Sequence, residues 1–366
     1  MTLLITILAG ERPPNGFLER TVIWVLKIIG HLYGLIQTSR AYLYKKAIIK
    51  TYAPPCAVVS VGNITAGGTG KTPTVIWLAK YFQSRGRKVG VVSRGYRQHS
   101  KDPVTVVADP KQLLLTPPQA ADEAVLIAKK LPGVTVITGP NRQKTIKVAT
   151  QDYGCNIVIM DDAFQHMQVK RQLDLVLLDC NYPFSNGNIL PGGLLRESPQ
   201  ALNRCDGIIL TRADNHDKLQ ASKEMLKLVA PNIPICHAIH KKTGWLKLVN
   251  NGADSSSTLS LDELKEIPVL AFCGIAKPEA FRNTLETTSL SVIAFETFTD
   301  HHVFTENTID QIIEHAVSLN AQAVVCTEKD MVKITEKEYA LPIYALSMEL
   351  FFPNISPWLQ HKLDLI

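Results

Sequence analysis

The sequence lacks several features that would assign it to other classes of protein. Its seven cysteines are scattered over 366 residues and never form a C-x-x-C pair, which argues against a zinc motif or a disulfide framework and favours a reducing, cytoplasmic compartment. No positively charged segment precedes the apolar opening MTLLITILAG, so a cleaved signal peptide is not expected. The formal net charge is only +6, and a nucleic-acid partner is therefore not predicted.

The composition is that of a globular protein. Hydrophobic residues make up 46% and charged residues 20% of the chain, and we find no internal repeat or low-complexity tract. Strand-like apolar runs such as AVVSV, KVGVV and IVIM alternate with helical stretches, a pattern typical of parallel sheets flanked by helices. The length predicts two domains rather than one. We therefore expect an α/β protein with two lobes.

An apolar, basic segment lies near the amino terminus. Residues 21–36 are almost wholly apolar, but they number only 16 and include Lys27 and His31, which falls short of a membrane-spanning helix. From Arg20 to Lys50 the chain carries six basic residues and no acidic one, a distribution that attracts anionic lipid headgroups. Two interpretations stay open: a helix that lies in a membrane surface, or a buried core helix with basic flanks.

The most specific motif is the glycine-rich segment TAGGTGKT. It follows an apolar strand-like run and precedes a helical stretch, which is the context of a P-loop. In such a loop the backbone N–H groups and the lysine bind ATP phosphates, and the last hydroxyl binds Mg²⁺. Thr65 replaces the first glycine of the pattern, and a chance glycine loop is the alternative. The candidate ATP-binding residues are Thr65, Ala66, Gly67, Gly68, Thr69, Gly70, Lys71 and Thr72.

Two acidic pairs are candidates for metal binding and proton transfer. Asp161 and Asp162 directly follow the buried-type strand IVIM, where a kinase places a carboxylate that binds Mg²⁺; a turn or helix cap is the alternative. Asp122 and Glu123 begin the helical stretch DEAVLIAKKL, where acids interact with the helix dipole. A carboxylate there is equally suited to accept the proton of an acceptor hydroxyl.

Three further polar segments have both a functional and a structural interpretation. Arg196 and Glu197 follow a glycine-led loop and either contact the nucleotide or form a capped surface turn. The run DHH at residues 300–302 offers imidazoles to orient a base, although lone histidines are more often structural. The segment SRGYR at residues 93–97 suits a phosphorylated substrate or a solvated turn.

Seven segments of the chain, which include those above, together resemble the tetraacyldisaccharide 4'-kinases of Gram-negative bacteria. The order and spacing agree from about Leu32 to Lys333, which is much more specific than a P-loop alone. The resemblance implies ATP-dependent phosphorylation of the 4'-hydroxyl of a tetraacylated, 1-phosphorylated glucosamine disaccharide, to give lipid IVA, at the cytoplasmic face of the inner membrane. It also favours the interfacial interpretation of the amino-terminal helix. The segments are VGNITAGGTGKTP, SRGYR, DEA, DDAFQH, PGGLLRE, FTDHH and TEKD.

Individual roles follow from the resemblance and not from spacing. Asp122 is implied as the base for the 4'-hydroxyl, with His301 or its neighbour His302 as the orienting partner and Lys71 also catalytic. Ala163 and Phe164 stand where the family usually has glycine and leucine. The residues implied around ATP and Mg²⁺, beyond the glycine loop, are Asp161, Asp162, Gln165, Arg196 and Glu197, with His166 nearby.

The predicted domain organisation places the P-loop kinase domain first. We expect that domain at residues 1–225, including a membrane-associated helix at about 17–50, a smaller α/β domain at 226–345, and a tail at 346–366 that packs back on the first domain. The polar stretch 241–260 predicts a connection or an exposed hairpin between the domains. Closure of the domains would bring Asp122 to His301 and exclude water.

Two other function classes compete with the lipid kinase. A P-loop NTPase that acts as a switch or chaperone would hydrolyse ATP or GTP in response to a protein partner. A peripheral membrane scaffold would use the glycine loop only structurally. The kinase interpretation predicts a membrane glycolipid as substrate, a membrane surface as partner of the amino-terminal helix, and no obligate protein partner.

Overall fold

The computed structural model describes residues 7–8, 12–248 and 258–366, and these residues form two compact units. The first unit comprises the chain up to Arg94, the segment Gly139–Ile239 and the carboxyl-terminal Leu350–Ile366. The second unit comprises Gly95–Thr138 and His240–Glu349. The apolar opening, considered above for a signal peptide, lies mostly outside the described residues.

The described helices and strands alternate along most of the chain. The helices are α1 (Gly16–Lys45), α2 (Lys71–Gln83), α3 (Asp122–Lys130), α4 (Arg142–Gln151), α5 (His216–Val229), α6 (Pro278–Glu286), α7 (Glu306–Ser318), α8 (Glu328–Met331) and α9 (Pro357–Asp364), with short 3₁₀ helices at Pro199–Arg204 and Leu261–Leu264. The strands are β1 (Ala57–Asn63), β2 (Val89–Ser93), β3 (Thr105–Ala108), β4 (Thr135–Thr138), β5 (Ile157–Asp161), β6 (Leu173–Asp179), β7 (Gly207–Thr211), β8 (Ile235–His237), β9 (Ile239–Lys247), β10 (Thr258–Leu259), β11 (Pro268–Cys273), β12 (Ser291–Thr297), β13 (Ala323–Thr327) and β14 (Ile343–Phe351).

The first unit is built on parallel strands in the order β2-β5-β1-β6-β7-β8. These strands consist mainly of Val, Ile and Leu and are almost entirely buried, as expected of a parallel sheet with both faces covered. The glycine loop follows β1, which lies between β5 and β6. Val61 of β1 pairs in register with Asp161 of β5. The loop and this acidic residue therefore lie at the same carboxyl edge of the sheet, where α/β proteins bind ligands.

The carboxyl-terminal segment belongs to the first unit. The indole of Trp358 packs so closely on Gly207 that a Cβ there would lie 2.3 Å from the ring. The hydroxyl of Tyr81 donates a 2.5 Å hydrogen bond to Asp364, and Arg87 donates one to the backbone oxygen of Ile366.

The second unit contains a six-stranded sheet in the order β10-β9-β14-β13-β11-β12. The pairs β14–β13, β13–β11 and β11–β12 are parallel, and β9–β10 is antiparallel. Two apolar clusters are built on this sheet, one around Phe272 and Phe304 and the other around Trp245 and Phe281. Strands β3 and β4, which belong to this unit, pair antiparallel with each other, and α3 packs against both of them and against α8.

The predicted α/β class, with a second smaller α/β lobe and an apolar amino-terminal helix, is confirmed. The domain limits in the structure differ from those proposed above, which assumed that each domain is one continuous stretch. Residues 95–138 belong to the second unit, because α3 packs on α8. The first unit extends to Ile239 rather than 225, because β8 still pairs with β7. In the stretch 241–260, β9 pairs with β10 inside the second unit, and residues 249–257 lie outside the described residues.

Helix α1 is longer and more exposed than a core helix. The helix has 30 residues rather than the 16 considered above, and it includes a window long and apolar enough, by length and composition, to cross a membrane, so the expectation that the segment is too short to span is not supported. The side chains of Phe17, Leu18 and Ile36 are 83%, 79% and 65% exposed. The interpretation of this segment as a buried core helix is therefore wrong.

Candidate active site

The glycine loop joins β1 to α2 in the first unit, as its sequence predicts. Gly67 and Gly70 have φ angles of +122° and +82°, a region in which a side chain causes strain. Thr65 does not have a positive φ and forms an isolated β-bridge with Leu195. Threonine is therefore accommodated where the P-loop pattern usually has glycine.

Residues that the sequence analysis did not single out hold the loop in place. The buried Asn63, the last residue of β1, donates from Nδ2 to the hydroxyl of Thr69 at 3.0 Å. The hydroxyl of Thr211, at the end of β7, donates to the backbone oxygen of Thr69 at 2.9 Å. In the sequence, each of these two residues is a polar side chain at the end of an otherwise apolar strand. That pattern could have identified them, because such residues meet at the carboxyl edge of a parallel sheet.

Asp162 lies between the two predicted cations of the site. Both of its carboxylate oxygens accept from Arg196 Nη1 at 2.9 Å, and Lys71 Nζ lies 3.6 Å from Oδ1. Burial alone would raise the pKa of Asp162, but the charges of Lys71 and Arg196 outweigh burial and hold it below its ordinary value. The arrangement keeps Asp162 ionised and fixes Lys71 beside the loop.

Asp162 also carries the backbone strain of this segment. Its φ is +50°, whereas Ala163, which stands where the family usually has glycine, has no positive φ. The chain therefore changes direction after β5 at Asp162, one residue before the position at which the family usually has glycine. Strained non-glycine residues of this kind cluster at functional sites.

A buried arginine supports the acidic end of β5. Arg142 donates to the backbone oxygens of Gly139 at 2.6 Å and Asp161 at 3.4 Å. Burial lowers its pKa to about 10, against the opposing effect of Asp161 and Asp162, so it is charged at neutral pH. Arg142 is not predicted from the sequence, in which its only signal is a cation in the first turn of a helix, where acids are usual.

Gln165 and Glu197, both predicted near the nucleotide, are in contact. The amide nitrogen of Gln165 donates at 2.9 Å to Glu197 Oε1 and at 2.9 Å to the backbone oxygen of Asn63. Glu197 is 3% exposed and also accepts from Arg204 at 2.7 Å, a partner that the sequence analysis missed. The buried carboxylate is thus compensated, as burial of a charge requires.

His166 follows Gln165 on the same turn. Burial, together with the charges of Arg142 and Arg94, lowers its pKa to about 4. His166 is therefore neutral at physiological pH.

An acid–imidazole pair lies in the second unit. Asp122, the first residue of α3, is 7% exposed, and its Oδ2 lies 2.9 Å from His301 Nδ1. Lys329 Nζ lies 3.3 Å from His301 Nε2 and 3.1 Å from Glu123 Oε1. His301 has a φ of +60°. Both partners belong to the same unit, so the expectation that domain closure brings Asp122 to His301 is wrong.

The charges around this pair determine its protonation. Burial would raise the pKa of Asp122, but the hydrogen bond from His301 and the charge of Lys329 lower it below the ordinary value. Burial would lower the pKa of Lys329, but Glu123 and Asp122 raise it above the ordinary value. Because a charged lysine only donates, His301 Nε2 accepts from it and Nδ1–H donates to Asp122. Asp122 is therefore an ionised carboxylate.

His302 has a different environment from His301. Its ring packs against Phe298 and Phe304, with centroids 4.8 and 4.9 Å away, and burial lowers its pKa. Of the two adjacent histidines, His301 contacts Asp122 and His302 packs among aromatic rings. From the SRGYR segment, Tyr96 packs edge-on to His301, and Arg97 donates to the backbone oxygen of Asp300 at 3.0 Å.

Comparison with known proteins assigns the family. The model of the tetraacyldisaccharide-1-P 4'-kinase (LpxK) family matches residues 22–364. The tetraacyldisaccharide 4'-kinase of Desulfatibacillum aliphaticivorans is 40% identical over 90% of this chain and 88% of its own length. That of Halothermothrix orenii is 35% identical over 92% and 91%.

A solved structure supports the same assignment. The crystal structure of LpxK from Aquifex aeolicus, in complex with ATP, superposes with a TM-score of 0.76 and 27% identity, over 94% of this chain and 98% of that one. Both the glycine loop and the Asp122–His301 pair lie within the matched range. This chain belongs to the tetraacyldisaccharide 4'-kinase family.

Proposed function

We propose that this kinase transfers the γ-phosphate of ATP to the 4'-hydroxyl of tetraacyldisaccharide 1-phosphate, giving lipid IVA. The observation that carries the proposal is the family match over residues 22–364, which includes both a P-loop and an ionised acid beside an imidazole. A switch-type NTPase needs the loop but has no use for such a base. The names of the relatives supply the acceptor.

The first unit supplies the ATP site of this proposal. The backbone N–H groups of Thr65–Thr72 and the amino terminus of α2 bind the phosphates, and Lys71 reaches the β- and γ-phosphates. Asp162 holds Lys71 in position, and Arg196, next to it, adds a second cation. Gln165 and Glu197 form the polar wall that supports β1.

The candidate ligands for Mg²⁺ are the predicted Thr72, Asp161 and Asp162. Their oxygen donors suit a hard cation, and kinases commonly hold Mg²⁺ with one or two carboxylates and the phosphates themselves. Asp162 accepts from Arg196 with both oxygens, so Asp161, buried at the end of β5, and the Thr72 hydroxyl are the better fit. Bound Mg²⁺ supplies charge neutralisation on the phosphate oxygens.

The second unit supplies the base. As the 4'-oxygen forms its bond to the γ-phosphorus and the bond to ADP breaks, the hydroxyl proton passes to Asp122. His301 orients the carboxylate through Nδ1–H, and Lys329 holds the other ring nitrogen. A carboxylate of low pKa suits a reaction in which the hydroxyl becomes acidic only as the oxygen–phosphorus bond forms.

The acceptor is a glycolipid, and α1 is the element suited to a membrane surface. Large apolar side chains are exposed along it, including Trp24 at 64%, Leu32 at 58% and Leu35 at 64%. Basic residues continue from its carboxyl-terminal half to Lys50. This combination supports an interfacial helix on an anionic membrane, and we place the enzyme at the cytoplasmic face of the inner membrane.

The proposal is tested by a transfer assay. Purified protein with Mg²⁺ and γ-labelled ATP is incubated with tetraacyldisaccharide 1-phosphate in detergent, with Lys71→Ala as the control. We expect labelled lipid from the wild type and about background from the variant. Hydrolysis of ATP that a protein stimulates, without labelled lipid, would instead favour the switch-type NTPase.

A further inference from the structure

Helix α1 contacts the rest of the first unit through a narrow strip of glycine backbone. Only Ile23, Gly30 and Gly34 of its 30 residues are buried. A Cβ built on Gly30 would lie 2.5 Å from the carbonyl oxygen of Ile189, and one on Gly34 would lie 2.6 Å from Ile189 Cδ1. The first contact is with a backbone atom, so only glycine at position 30 lets the helix lie this close, whereas the second is with the flexible end of a side chain.

The segment that faces α1 also approaches through glycine. A Cβ on Gly192 would lie 2.8 Å from Lys27 Cα and 2.9 Å from Lys27 N, both backbone atoms of α1. The two backbones thus meet with little flexible side chain between them. Close-packed contacts of this kind have low compressibility and transmit displacement.

The same segment is hydrogen-bonded to the glycine loop. The turn at residues 188–193 is closed by Leu190 N donating to Leu195 O at 2.7 Å and Leu195 N donating to Asn188 O at 3.0 Å. The next residues then bond to the loop: Ala66 N donates to Leu194 O, and Arg196 N donates to Ile64 O, both at 2.7 Å. Two backbone hydrogen bonds therefore flank Thr65, the first residue of the loop.

We propose that α1 is a positioning element for the nucleotide site, in addition to any role at a membrane. The contact of Gly30 and Gly34 with Ile189 sets the position of the turn, and the turn sets the positions of Ala66 and the Arg196 side chain that binds Asp162. A displaced helix then lowers affinity for ATP even in detergent solution without a membrane. The inference rests on the proposed assignment of Thr65–Thr72 and Arg196 to ATP.

The decisive variant is Gly30→Ala, because its methyl group would lie 2.5 Å from a backbone oxygen that cannot rotate away. We expect its KM for ATP to rise about tenfold, or about 1.4 kcal/mol, near the lower end of the usual cost of overpacking. Gly34→Ala meets only Ile189 Cδ1, the end of a flexible side chain, and should raise the KM less. Ile189→Val removes Cδ1 and leaves Cγ1 at 4.0 Å from the added carbon. The double variant is therefore expected to bind ATP within about twofold of the wild type.

Gly30→Ala should not respond to the same partner substitution. Its methyl group meets the backbone oxygen of Ile189 rather than a side chain, so Ile189→Val is not expected to restore ATP binding to it. Ser39→Ala, at an exposed position of α1, is the matched control and should leave the KM for ATP unchanged. If Gly30→Ala does not fold, Ile189→Ala removes the side-chain contact with Gly34 without overlap and should also raise the KM.

The measurements are the KM for ATP in detergent and the Kd for a fluorescent ATP analogue, with vesicle binding and thermal melting in parallel. The inference predicts a change in nucleotide affinity with unchanged vesicle binding. An unchanged Kd in Gly30→Ala and Ile189→Ala, or a double variant of Gly34→Ala with Ile189→Val that binds more weakly than Gly34→Ala, would overturn it. The assignment of the ATP site fails separately if Lys71→Ala binds the analogue as well as the wild type, and the proposed function fails separately if the wild type binds ATP but transfers no label to the lipid.

Discussion

Replacing Asp122 by asparagine isolates the proposed base. Asparagine keeps the size of the side chain and an oxygen for the backbone N–H of Glu123, which lies 3.1 Å from Oδ1, but it cannot accept the hydroxyl proton. Positioned general bases contribute about 10²- to 10⁴-fold, so we expect kcat to fall by roughly a thousandfold, or about 4 kcal/mol of transition-state stabilisation. The described hydrogen bonds of Asp122 lie in the second unit, whereas the glycine loop lies in the first. The KM for ATP should therefore change less than about twofold.

The assay is steady-state transfer to the lipid acceptor, with ATP and acceptor varied in turn. Asp300→Asn is the matched control, because Asp300 Oδ2 lies 3.8 Å from His301 Nε2 and the same chemical change is made beside the same imidazole. We expect that control to retain kcat within about tenfold, since Asp300 is not the proton acceptor. Equal losses in the two variants, or a loss of ATP binding in Asp122→Asn that matches the loss of kcat, would refute the assignment.

Three further predictions follow from the described contacts. Lys329→Met removes a charge that lowers the pKa of Asp122. Wild-type activity should therefore persist to a pH below the ordinary pKa of an aspartate, and the acid limb of the kcat/KM profile should move to higher pH in the variant. An unmoved acid limb in Lys329→Met would contradict this, and Lys129→Met, whose lysine pairs with Glu336, is the control. Arg196→Gln removes the nearer of the two cations that pair with Asp162. The variant should bind ATP about tenfold or more weakly, since charge-assisted hydrogen bonds contribute roughly 1.5–3 kcal/mol. Calorimetric titration with ATP measures the loss, and an unchanged affinity would exclude the role. Replacing Lys45, Lys46 and Lys50 by glutamine should reduce binding to anionic vesicles at low salt by on the order of 100-fold, because each charge contributes about 1 kcal/mol. Equal vesicle binding of the triple variant and the wild type would argue against the interfacial helix.

The parts of the site that are local in sequence could be predicted. The glycine loop, its strand and its helix are contiguous, so Thr65–Thr72 could be assigned to phosphate binding before any fold was known. Asp162 and Arg196 could be predicted as site residues, but their contact could not, because they lie 34 positions apart in the chain. Asp122 and His301 lie 179 positions apart, so the sequence likewise did not show that these side chains share one unit.

Other features depend on packing that a single sequence does not specify. Arg142 donates hydrogen bonds to backbone carbonyl groups and Arg204 donates one to a buried carboxylate. Neither arginine has a distinctive neighbour in the sequence. The allocation of residues 95–138 to the second unit depends on which surface α3 packs against, and helical periodicity gives only the apolar face. The exposure of α1 was undecided for the same reason, since interfacial and core helices share one periodicity.

The position of the transferred phosphate tests the central claim most directly. The wild-type enzyme would be incubated with Mg²⁺, ATP and tetraacyldisaccharide 1-phosphate, and the lipid product would be isolated. ³¹P-correlated NMR would then identify the carbon that carries the new phosphate, with a 4'-deoxy acceptor as the control. We predict a second phosphate on the 4'-oxygen and no product from the deoxy acceptor. Phosphate at another position, or ADP formation without any phosphorylated lipid, would contradict the account.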